Sequence, residues 1–228
     1  PPGGPQSITL PATVPPPTPL DAETVNATSP DGVVLSADSR SLLEDGRRIY
    51  PIAGEIHLGR LPASQWREQL MRMKAGGLNW ISVYLFWIYF EESRGNFTFD
   101  GRRDVRAFLT VASSLGLRVL LRVGPWCHGE VRNGGHPDWV LTSCGALRTT
   151  APEYLGCVRS WYEAIAAQLR GLYWHDGGPI VSVQLDNETS DWKYLLALRT
   201  LAIGLGIRPA FFVKTGWPAP AAGYPAQY

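Results

Sequence analysis

An α/β fold with a parallel sheet is predicted, because short apolar strands alternate with helical segments along most of the chain. The loops after the second, third and fourth predicted strands are long and rich in polar and aromatic residues, whereas the turns from helix to strand are short and contain glycine. No GxGxxG motif follows the first strand, as a doubly wound dinucleotide-binding sheet would carry. The asymmetry between the two strand ends favours a (β/α)8 TIM barrel, whose functional residues lie at the carboxyl ends of the strands.

The first predicted unit is a strand at 51–57 followed by a helix at 64–75. Ser64 is suited to cap this helix, because its hydroxyl can accept a hydrogen bond from an amide of the first turn. Gly76 and Gly77 end the helix, since glycine readily adopts the conformation that follows a last helical turn.

The second and third predicted strands lie at 78–87 and 117–123, with a helix at 103–115 between them. The second strand is a nearly continuous apolar run, which is typical of a parallel strand covered on both faces. The third strand is followed by a long loop rich in glycine, tryptophan and histidine, and then by a helix at 152–172.

The last predicted elements are a strand at 179–185, a helix at 192–205 and a strand at 210–214. About five strands can therefore be counted, fewer than the eight that close a barrel. We expect the chain to contain only about the first five strand–helix units of the barrel.

The segment at 1–30 differs from the rest of the chain in composition. It contains much of the proline and few large apolar residues, so it cannot bury enough surface to offset the entropy of ordering. We interpret it as a linker or extended arm, followed by a hairpin at 33–52 and a single domain at 31–228. The chain starts with proline and shows no signal-like apolar segment, so we expect a processed product or a fragment.

The charge balance indicates a neutral partner. Lysine and arginine (21) nearly equal aspartate and glutamate (20), so neither nucleic acid nor an anionic membrane is indicated. No apolar run approaches the roughly 20 residues needed to span a bilayer. Nine tryptophans and nine tyrosines favour a carbohydrate, because flat rings stack on the apolar C–H faces of sugars. The sequence does not indicate a compartment and is compatible with an extracellular, vacuolar or lysosomal location.

The three cysteines, Cys127, Cys144 and Cys157, are too few for a disulfide framework. Cys144 and Cys157 form one bridge or remain buried thiols, and the sequence leaves both alternatives open. No CxxC pair indicates zinc. We expect neither a metal nor an organic cofactor.

Polar residues suited to chemistry follow the predicted strands. They are His57 and Arg60 after the first strand, Glu91 and Glu92 after the second, Glu130 after the third, and Asn187 and Glu188 after the fourth. Converging carboxylates without clustered histidine or cysteine favour acid–base hydrolysis over metal chemistry. Glycoside hydrolysis is one such reaction, and it needs two carboxyl groups that are about 5 to 5.5 Å apart when configuration is retained.

Glu188 is suited to act as the general acid. Ile180, Val181 and Val183 belong to the strand that delivers it from the core into a pocket expected to be lined by aromatic residues. An apolar setting favours the protonated form that such an acid requires. Asn187 beside it offers both a donor and an acceptor to a sugar hydroxyl.

Four motifs occur in order from about Tyr50 to Trp217: YPIAGEIHLGRLP, MKAGGLNWISVYLFW, RVGPWCHGEVRNGGHPDW and GGPIVSVQLDNE. Together they resemble glycoside hydrolase family 35, the β-galactosidases. The resemblance implies a retaining exo-glycosidase that removes terminal β-D-galactosyl residues.

The resemblance also implies residue roles. Glu188 matches the family's proton donor and Asn187 its substrate-binding amide. Tyr84, Gly129 and Glu130 match positions that contact the sugar. The family's nucleophile is a glutamate on the seventh strand, which is expected to lie outside this chain.

Several positions depart from the family motifs. Leu58 and Gly59 replace Tyr-Phe after the first strand, and Phe90 replaces the histidine of His-Glu. Val131 replaces a tryptophan and Thr189 a tyrosine. These differences reshape the predicted pocket wall and affect sugar preference more than reaction type.

Other residues have structural alternatives. We expect His57 and Arg60 to stabilise the pocket rather than to contact substrate, and Glu91 to have a structural role. Strand alternation turns Asp186 away from the pocket, and His128 is equally compatible with either role. Two alternatives remain for the whole chain: an inactive, truncated carbohydrate-binding fragment, or a barrel β-glycosidase of another family with the same Asn-Glu pair.

Overall fold

A computed structural model of the chain describes residues 16–20 and 27–212. They form a four-stranded antiparallel sheet and a five-stranded parallel sheet. The strands are β1 (Ala27–Thr28), β2 (Val34–Ala37), β3 (Leu42–Glu44), β4 (Arg47–Arg48), β5 (Ala53–Glu55), β6 (Trp80–Tyr84), β7 (Arg118–Arg122), β8 (Ile180–Gln184) and β9 (Ala210–Phe212). The helices are α1 (Trp66–Ala75), α2 (Trp87–Phe90), α3 (Val105–Ser114), α4 (Asp138–Ser143), α5 (Pro152–Leu169) and α6 (Trp192–Gly204).

The parallel sheet has the order β5-β6-β7-β8-β9, so each strand pairs with the next one along the chain. At least one helix lies in each connection between them. A doubly wound sheet reverses its strand order at a switch point, and these five strands show no reversal. The predicted α/β fold with a parallel sheet is confirmed, and its strand order is that of consecutive barrel strands.

Side chains alternate between the two faces of the parallel sheet. On one face, apolar residues such as Ile81 and Val83 are fully buried and pack against the helices in the main core. On the other face, which we call the inner face, the strands end in the polar residues Tyr84, Arg122 and Gln184. The candidate site is built on these strand ends.

An irregularity in β8 determines which of its side chains reach the inner face. Leu120 lies opposite Ser182, and the register shift just before this pair leaves Val181 as an additional residue. Such a bulge moves every following side chain to the other face of the strand. Because of it, Gln184 lies opposite Arg122 on the inner face.

The predicted hairpin at 33–52 is present as β2 and β3, with β1 and β4 completing its sheet. Leu35 packs against Trp80 and Val181, so this small sheet covers the part of the inner face remote from the strand carboxyl ends. A cavity of about 610 Å³ lies between the two sheets.

The described parts of the predicted arm contact this hairpin. Residues 27–28 pair with residues 34–35, and the amide of Leu20 donates to the carbonyl of Ala37 at 3.1 Å. Residues 1–15 and 21–26 of the arm lie outside the described ranges. The boundary at residue 30 stays a prediction.

Several element boundaries differ from the predictions. The second strand ends at Tyr84 because Trp87 begins the short helix α2. Helix α5 ends at Leu169 rather than at residue 172, and α4 was not predicted. Residues 213–214 of the fifth predicted strand lie outside the described ranges.

The predicted cap of the first helix was wrong. Helix α1 begins at Trp66, after a short 3-10 turn, and Gln65 precedes it without a side-chain cap. Helix α3 does have a side-chain cap. A carboxylate oxygen of Asp104 accepts a hydrogen bond from the amide of Ala107 in its first turn.

Cys144 and Cys157 form a disulfide, which decides between the two alternatives left open by the sequence. Their Cα atoms are 6.1 Å apart, within the usual range for a bridge. The bridge joins the end of α4 to the first part of α5 and closes the loop at 145–156. Cys127 is a free, buried thiol.

Candidate active site

The five predicted site residues lie at one edge of the parallel sheet. Tyr84 is the last residue of β6, Gly129 and Glu130 lie in the loop after β7, and Asn187 and Glu188 lie in the turn after β8. The carboxyl ends of parallel strands share an edge, which is where barrels of this class bind ligands.

Arg122, the last residue of β7, connects these strand ends. Its guanidinium carbon lies 3.6 Å from the centroid of the Tyr84 ring. Its N–H groups donate to Oδ1 of Asn187 at 2.8 Å, to Oε1 of Gln184 at 2.5 Å and to a carboxylate oxygen of Glu55. Arg122 thereby joins β7 to the ends of β5, β6 and β8 through one rigid, planar cation.

The buried side chain of Asn187 is oriented by its hydrogen bonds. Its Oδ1 accepts from both Arg122 and Gln184 at 2.8 Å. Its Nδ2 therefore points away from them and lies 2.6 Å from Nδ1 of His128. This arrangement fixes which end of the amide serves as donor at the edge of the sheet.

Glu188 lies in a turn with an unusual backbone. Its side chain is 36% exposed, and Oε2 lies 3.6 Å from Nδ1 of His128. Glu188 has a φ of 51°, and Asp186 and Glu130 have values of 52° and 49°. Left-handed conformations are unfavourable for residues other than glycine, persist where surrounding contacts fix them, and cluster at functional sites. The contacts of this turn, rather than local preference, therefore determine where Glu188 points.

His128 connects the loop after β7 to the turn after β8. Its Nε2 faces the indole N–H of Trp126 at 3.0 Å, and its Nδ1 faces Asn187 and Glu188. The sequence left the role of His128 open, and the structure places it beside the candidate general acid.

Gly129 allows the loop after β7 to approach the aromatic rings. A Cβ at this position would lie 2.6 Å from the Phe86 ring and 3.4 Å from that of Tyr84. Arg60 donates to the carbonyl of Gly129 and lies over the Phe86 ring at 5.7 Å. Arg60 thus stabilises the loop, in line with the role expected from the sequence.

The hydroxyl of Tyr84 is buried and makes no hydrogen bond of good geometry among the described residues. Burial raises the pKa of Tyr84, and the positive charge of the adjacent Arg122 opposes that rise. Buried polar groups normally have partners. The hydroxyl therefore has unused hydrogen-bonding capacity at the edge of the sheet.

Glu130 is the predicted site residue that does not join this cluster. No hydrogen bond or ion pair within the described ranges links its exposed carboxylate to Tyr84, Asn187 or Glu188. Its charge acts on His57, where burial lowers the pKa of the imidazole and Glu130 partly opposes that effect.

Asp186 points to the helix-covered side of the turn, away from the pocket as expected. Alternation is not the reason, because β8 ends at Gln184 on the inner face and Asp186 has a left-handed backbone with a φ of 52°. Its fully buried carboxylate accepts from Arg148 at 2.6 Å, from the hydroxyl of Tyr194 at 2.9 Å and from the amide of Asn187 at 2.8 Å. Burial raises the pKa of Asp186, and the adjacent Arg148 opposes that rise. Asp186 therefore fixes the turn rather than facing the strand-end pocket.

A chain of buried polar groups continues from Asp186 through Tyr194. The hydroxyl of Tyr194 lies 3.3 Å from that of Tyr154, which lies 2.8 Å from Nε2 of His136. Nδ1 of His136 faces the carbonyl of Asn133 at 3.3 Å, so Nε2 is the acceptor for Tyr154. Burial lowers the pKa of His136 to about 4.

Glu91 has the structural role expected for it. Its buried carboxylate accepts from the indole N–H of Trp87 and from the amide of Gly95, both at 2.6 Å. The neighbouring Glu92 is exposed and forms an ion pair with Arg103.

Four residues of the site were not predicted: Glu55, Arg122, Arg148 and Gln184. Three of them had a detectable signal, because Glu55, Arg122 and Gln184 are polar residues at the ends of otherwise apolar strands. Arg148 lies in an irregular loop, and the local sequence contains no sign of its contacts.

The larger of two cavities on this side of the sheet is not at the candidate site. The cavity of about 610 Å³ lies near the opposite strand ends, where the hairpin sheet faces the inner face. A cavity of about 330 Å³ adjoins Tyr84 and is lined by Phe86, Ile88, Tyr89 and Val131. Position at the carboxyl edge, rather than cavity size, identifies the site.

Within residues 16–20 and 27–212, no group of three or more histidine, cysteine, aspartate or glutamate side chains is arranged to hold a metal ion. The helices of these ranges include none that combines the length and apolarity needed to cross a membrane.

A family model, Glycosyl hydrolases family 35, matches residues 41–224. The chain belongs to glycosyl hydrolase family 35. The resemblance seen in the four sequence motifs is therefore confirmed.

Relatives of this family 35 chain include curated β-galactosidases. A beta-galactosidase of Canis lupus familiaris is 38% identical over 165 residues, which are 70% of this chain and 25% of the relative. A beta-galactosidase of Xanthomonas manihotis is 32% identical over 189 residues, covering 81% of this chain and 32% of the relative. The family 35 chain thus spans about a quarter to a third of the length of these relatives.

Solved structures support the fold of this family 35 chain. A GH5_18 protein of Streptomyces cattleya, in complex with GlcNAc, matches with a TM-score of 0.56 at 14% identity, over 72% of this chain and 44% of that one. A GH5_18 protein of Bifidobacterium longum matches with a TM-score of 0.52 at 16% identity, with the same coverage. At these identities the likeness concerns the fold alone.

Replacing Arg122 with methionine is expected to lower the free energy of unfolding by about 2 kcal/mol, because it removes a charged donor from the buried side-chain oxygens of Gln184 and Asn187. Urea denaturation of the purified protein measures this change. The control is Arg72→Met, whose ion pair with Glu68 has side chains 69% and 59% exposed and contributes less than about 0.5 kcal/mol. Equal destabilisation by the two variants would contradict the central position of Arg122.

The lowered pKa of His136 predicts a pH-dependent stability. The unfolded chain protonates this imidazole below about pH 6.5, whereas the folded protein does so only near pH 4. The stabilising effect is thus present above pH 6.5 and is lost as the pH falls towards 4, by about 2 kcal/mol between pH 7 and pH 4.5. His136→Gln is expected to remove this part of the pH dependence of unfolding.

The control for His136 is His175→Gln, since His175 has a side chain that is 43% exposed. This variant is expected to retain the wild-type pH dependence. An unchanged pH dependence in His136→Gln would show that the buried imidazole does not cause it.

Proposed function

We propose that this chain forms the N-terminal part of the catalytic barrel of a retaining exo-glycosidase that releases terminal, non-reducing β-D-galactosyl residues. The observation that carries the proposal is the position of Glu188 at the carboxyl edge, beside the oriented amide of Asn187 and joined to Tyr84 through Arg122. Membership of family 35 and the β-galactosidase relatives support the reaction and the sugar.

The proposed architecture is a (β/α)8 barrel of which β5 to β9 are about the first five strands. Residues 31–228 belong to this barrel and to the hairpin sheet that covers it. Residues 1–30 are assigned to a proline-rich linker or arm that precedes it.

In the proposed reaction, Glu188 donates a proton to the glycosidic oxygen as its bond to the anomeric carbon breaks. A glutamate outside the 228 residues attacks that carbon and forms a covalent ester. Glu188, now a carboxylate, takes a proton from water as the water oxygen bonds to the anomeric carbon. The bond from that carbon to the glutamate breaks, which restores the free carboxylate and releases the sugar. Glu188 regains from water the proton that it gives to the leaving oxygen, and the second carboxylate is restored when the ester breaks. The proposed reaction therefore needs no metal or organic cofactor.

The proposed sugar contacts follow from the hydrogen-bonding capacity left at the edge. Nδ2 of Asn187 serves as a donor, since its Oδ1 already accepts twice. The hydroxyl of Tyr84 gains the partner it lacks. Gly129 and Glu130 contribute the wall on the side of the loop after β7.

A second candidate is a carbohydrate-binding fragment without catalysis. It is favoured by one observation: among the described strands, β5 and β9 each pair with a single neighbour. Measuring β-galactoside hydrolysis and sugar binding separates the two candidates, when this chain is compared with a form extended by roughly 100 residues or more. Closing a barrel requires further strand–helix units. Activity confined to the longer form supports a shared catalytic barrel, and sugar binding without hydrolysis by both supports the second candidate.

Glu188→Gln in the full-length protein is expected to lower kcat for unactivated β-galactosides by about 100-fold to 10,000-fold, because the amide cannot donate a proton to the leaving oxygen. Binding of galactose is expected to persist in this isosteric variant. Steady-state kinetics and calorimetry measure the two quantities.

The matched control is Glu163→Gln on α5, whose carboxylate is 53% exposed and pairs with Arg159. This control should keep wild-type kcat. Near wild-type turnover by Glu188→Gln would refute the role of Glu188, and preferred hydrolysis of β-mannosides or β-glucans would contradict the galactoside assignment.

A further inference from the structure

A loop closed by the disulfide reaches the turn that carries Glu188. Cys144 and Cys157 join the two ends of this loop, and Arg148 lies within it with a φ of 56°. The left-handed backbone directs the Arg148 side chain towards the turn after β8, where it makes two hydrogen bonds.

The first connection from Arg148 to the turn is direct. Its Nη2 donates to Oδ1 of Asp186 at 2.6 Å and to the backbone carbonyl of Asn187 at 2.7 Å. The two acceptors belong to consecutive residues, Asp186 and Asn187. Asp186 has a left-handed backbone, and so does Glu188, which follows Asn187. A single cation therefore fixes both a fully buried carboxylate and the peptide group that leads to Glu188.

The second connection runs through aromatic side chains. The guanidinium carbon of Arg148 lies 4.8 Å from the centroid of the Trp126 ring. Trp126 donates to Nε2 of His128, and the other ring nitrogen of His128 contacts Asn187 and Glu188. Both connections thus reach Asn187, and the second also reaches Glu188.

We propose that Arg148 is a positioning residue for Glu188. It maintains the strained turn, and thereby the position of the Glu188 carboxyl group relative to the glycosidic oxygen. Without Arg148, the buried Asp186 loses its cation and the left-handed residues lose the contacts that fix them. This inference rests on the proposed function, in which Glu188 transfers a proton that a displacement of about 1 Å would hinder.

Kinetics with two leaving groups test this role in the full-length protein. For an unactivated β-galactoside, whose departure requires a proton, Arg148→Ala is expected to lower kcat by about 100-fold with little change in KM. A dinitrophenyl β-galactoside has a leaving group that departs without protonation. For this substrate, the rate constant for forming the covalent intermediate, measured as a pre-steady-state burst of dinitrophenolate, should stay within a few-fold of wild type. Arg148→Lys retains the charge but not the planar guanidinium. For the unactivated substrate, its kcat is expected to lie between those of wild type and Arg148→Ala.

A merely structural role would produce a different result. Loss of folded protein lowers the rates for both substrates equally, and that outcome overturns the proposal, as does an unchanged rate with the unactivated substrate. The control variant is Arg159→Ala, in an exposed ion pair on α5 with side chains 56% and 53% exposed. It should leave both rates unchanged.

Amide hydrogen exchange at residues 185–190 tests Arg148 independently of activity. Exchange in this turn should be faster in the Arg148 variants than in wild type and in Arg159→Ala, with the β6 and β7 amides unchanged. Unaltered exchange in the turn overturns the positioning role. If wild type hydrolyses no β-galactoside, the proposed function fails, and the exchange result still decides whether Arg148 fixes the turn.

Discussion

The geometry of the candidate site depends on the guanidinium of Arg122. A partly buried cation is unfavourable unless its hydrogen bonds and charge are matched, and Arg122 obtains both from the inner face. Glu55 supplies the opposite charge, Gln184 and Asn187 supply acceptors, and the Tyr84 ring lies beneath the plane of the cation. Because these partners come from different strands, the ends of four strands are fixed relative to one another.

The turn that carries Glu188 is fixed from both sides of the sheet. On the inner face Arg122 binds the side chain of Asn187, and on the helix-covered side Arg148 binds Asp186 and the carbonyl of Asn187. The bulge in β8 makes this possible, since it places Gln184 opposite Arg122 while the chain still directs Asp186 towards the helices. Two left-handed residues are tolerated in the turn because both arginines fix it.

The fold was predictable because its signals are local. Apolar strand runs, glycine stops and the order of the elements are readable in sequence, and they gave the parallel sheet and the approximate position of every strand from β5 to β9. Helix starts were less predictable: Ser64 has the right side chain for a cap, but a 3-10 turn moves the start of α1 to Trp66. A suitable capping side chain does not distinguish a first α-helical turn from a preceding 3-10 turn, so it did not locate that boundary.

The site was predictable in part. The Asn187-Glu188 pair follows a strand end that was expected, and parallel strands bring their carboxyl ends to one edge. Tyr84 was identified from its motif, and it is a strand end because β6 is shorter than predicted. Arg122 left a detectable trace as a cation at the end of an apolar strand. Arg148 left none, since its contacts depend on a left-handed backbone and a loop closed between α4 and α5, and neither is encoded in a short window of sequence.

A crystal structure of the full-length protein with galactose bound shows whether Glu188 lies at a sugar-binding site. We expect a sugar at the carboxyl edge of the parallel sheet, with hydroxyls within hydrogen-bonding distance of Nδ2 of Asn187 and the hydroxyl of Tyr84, and with the Glu188 carboxyl group facing the anomeric oxygen. Galactose bound between the hairpin sheet and the inner face, or a Glu188 carboxyl group remote from the anomeric oxygen, would contradict it.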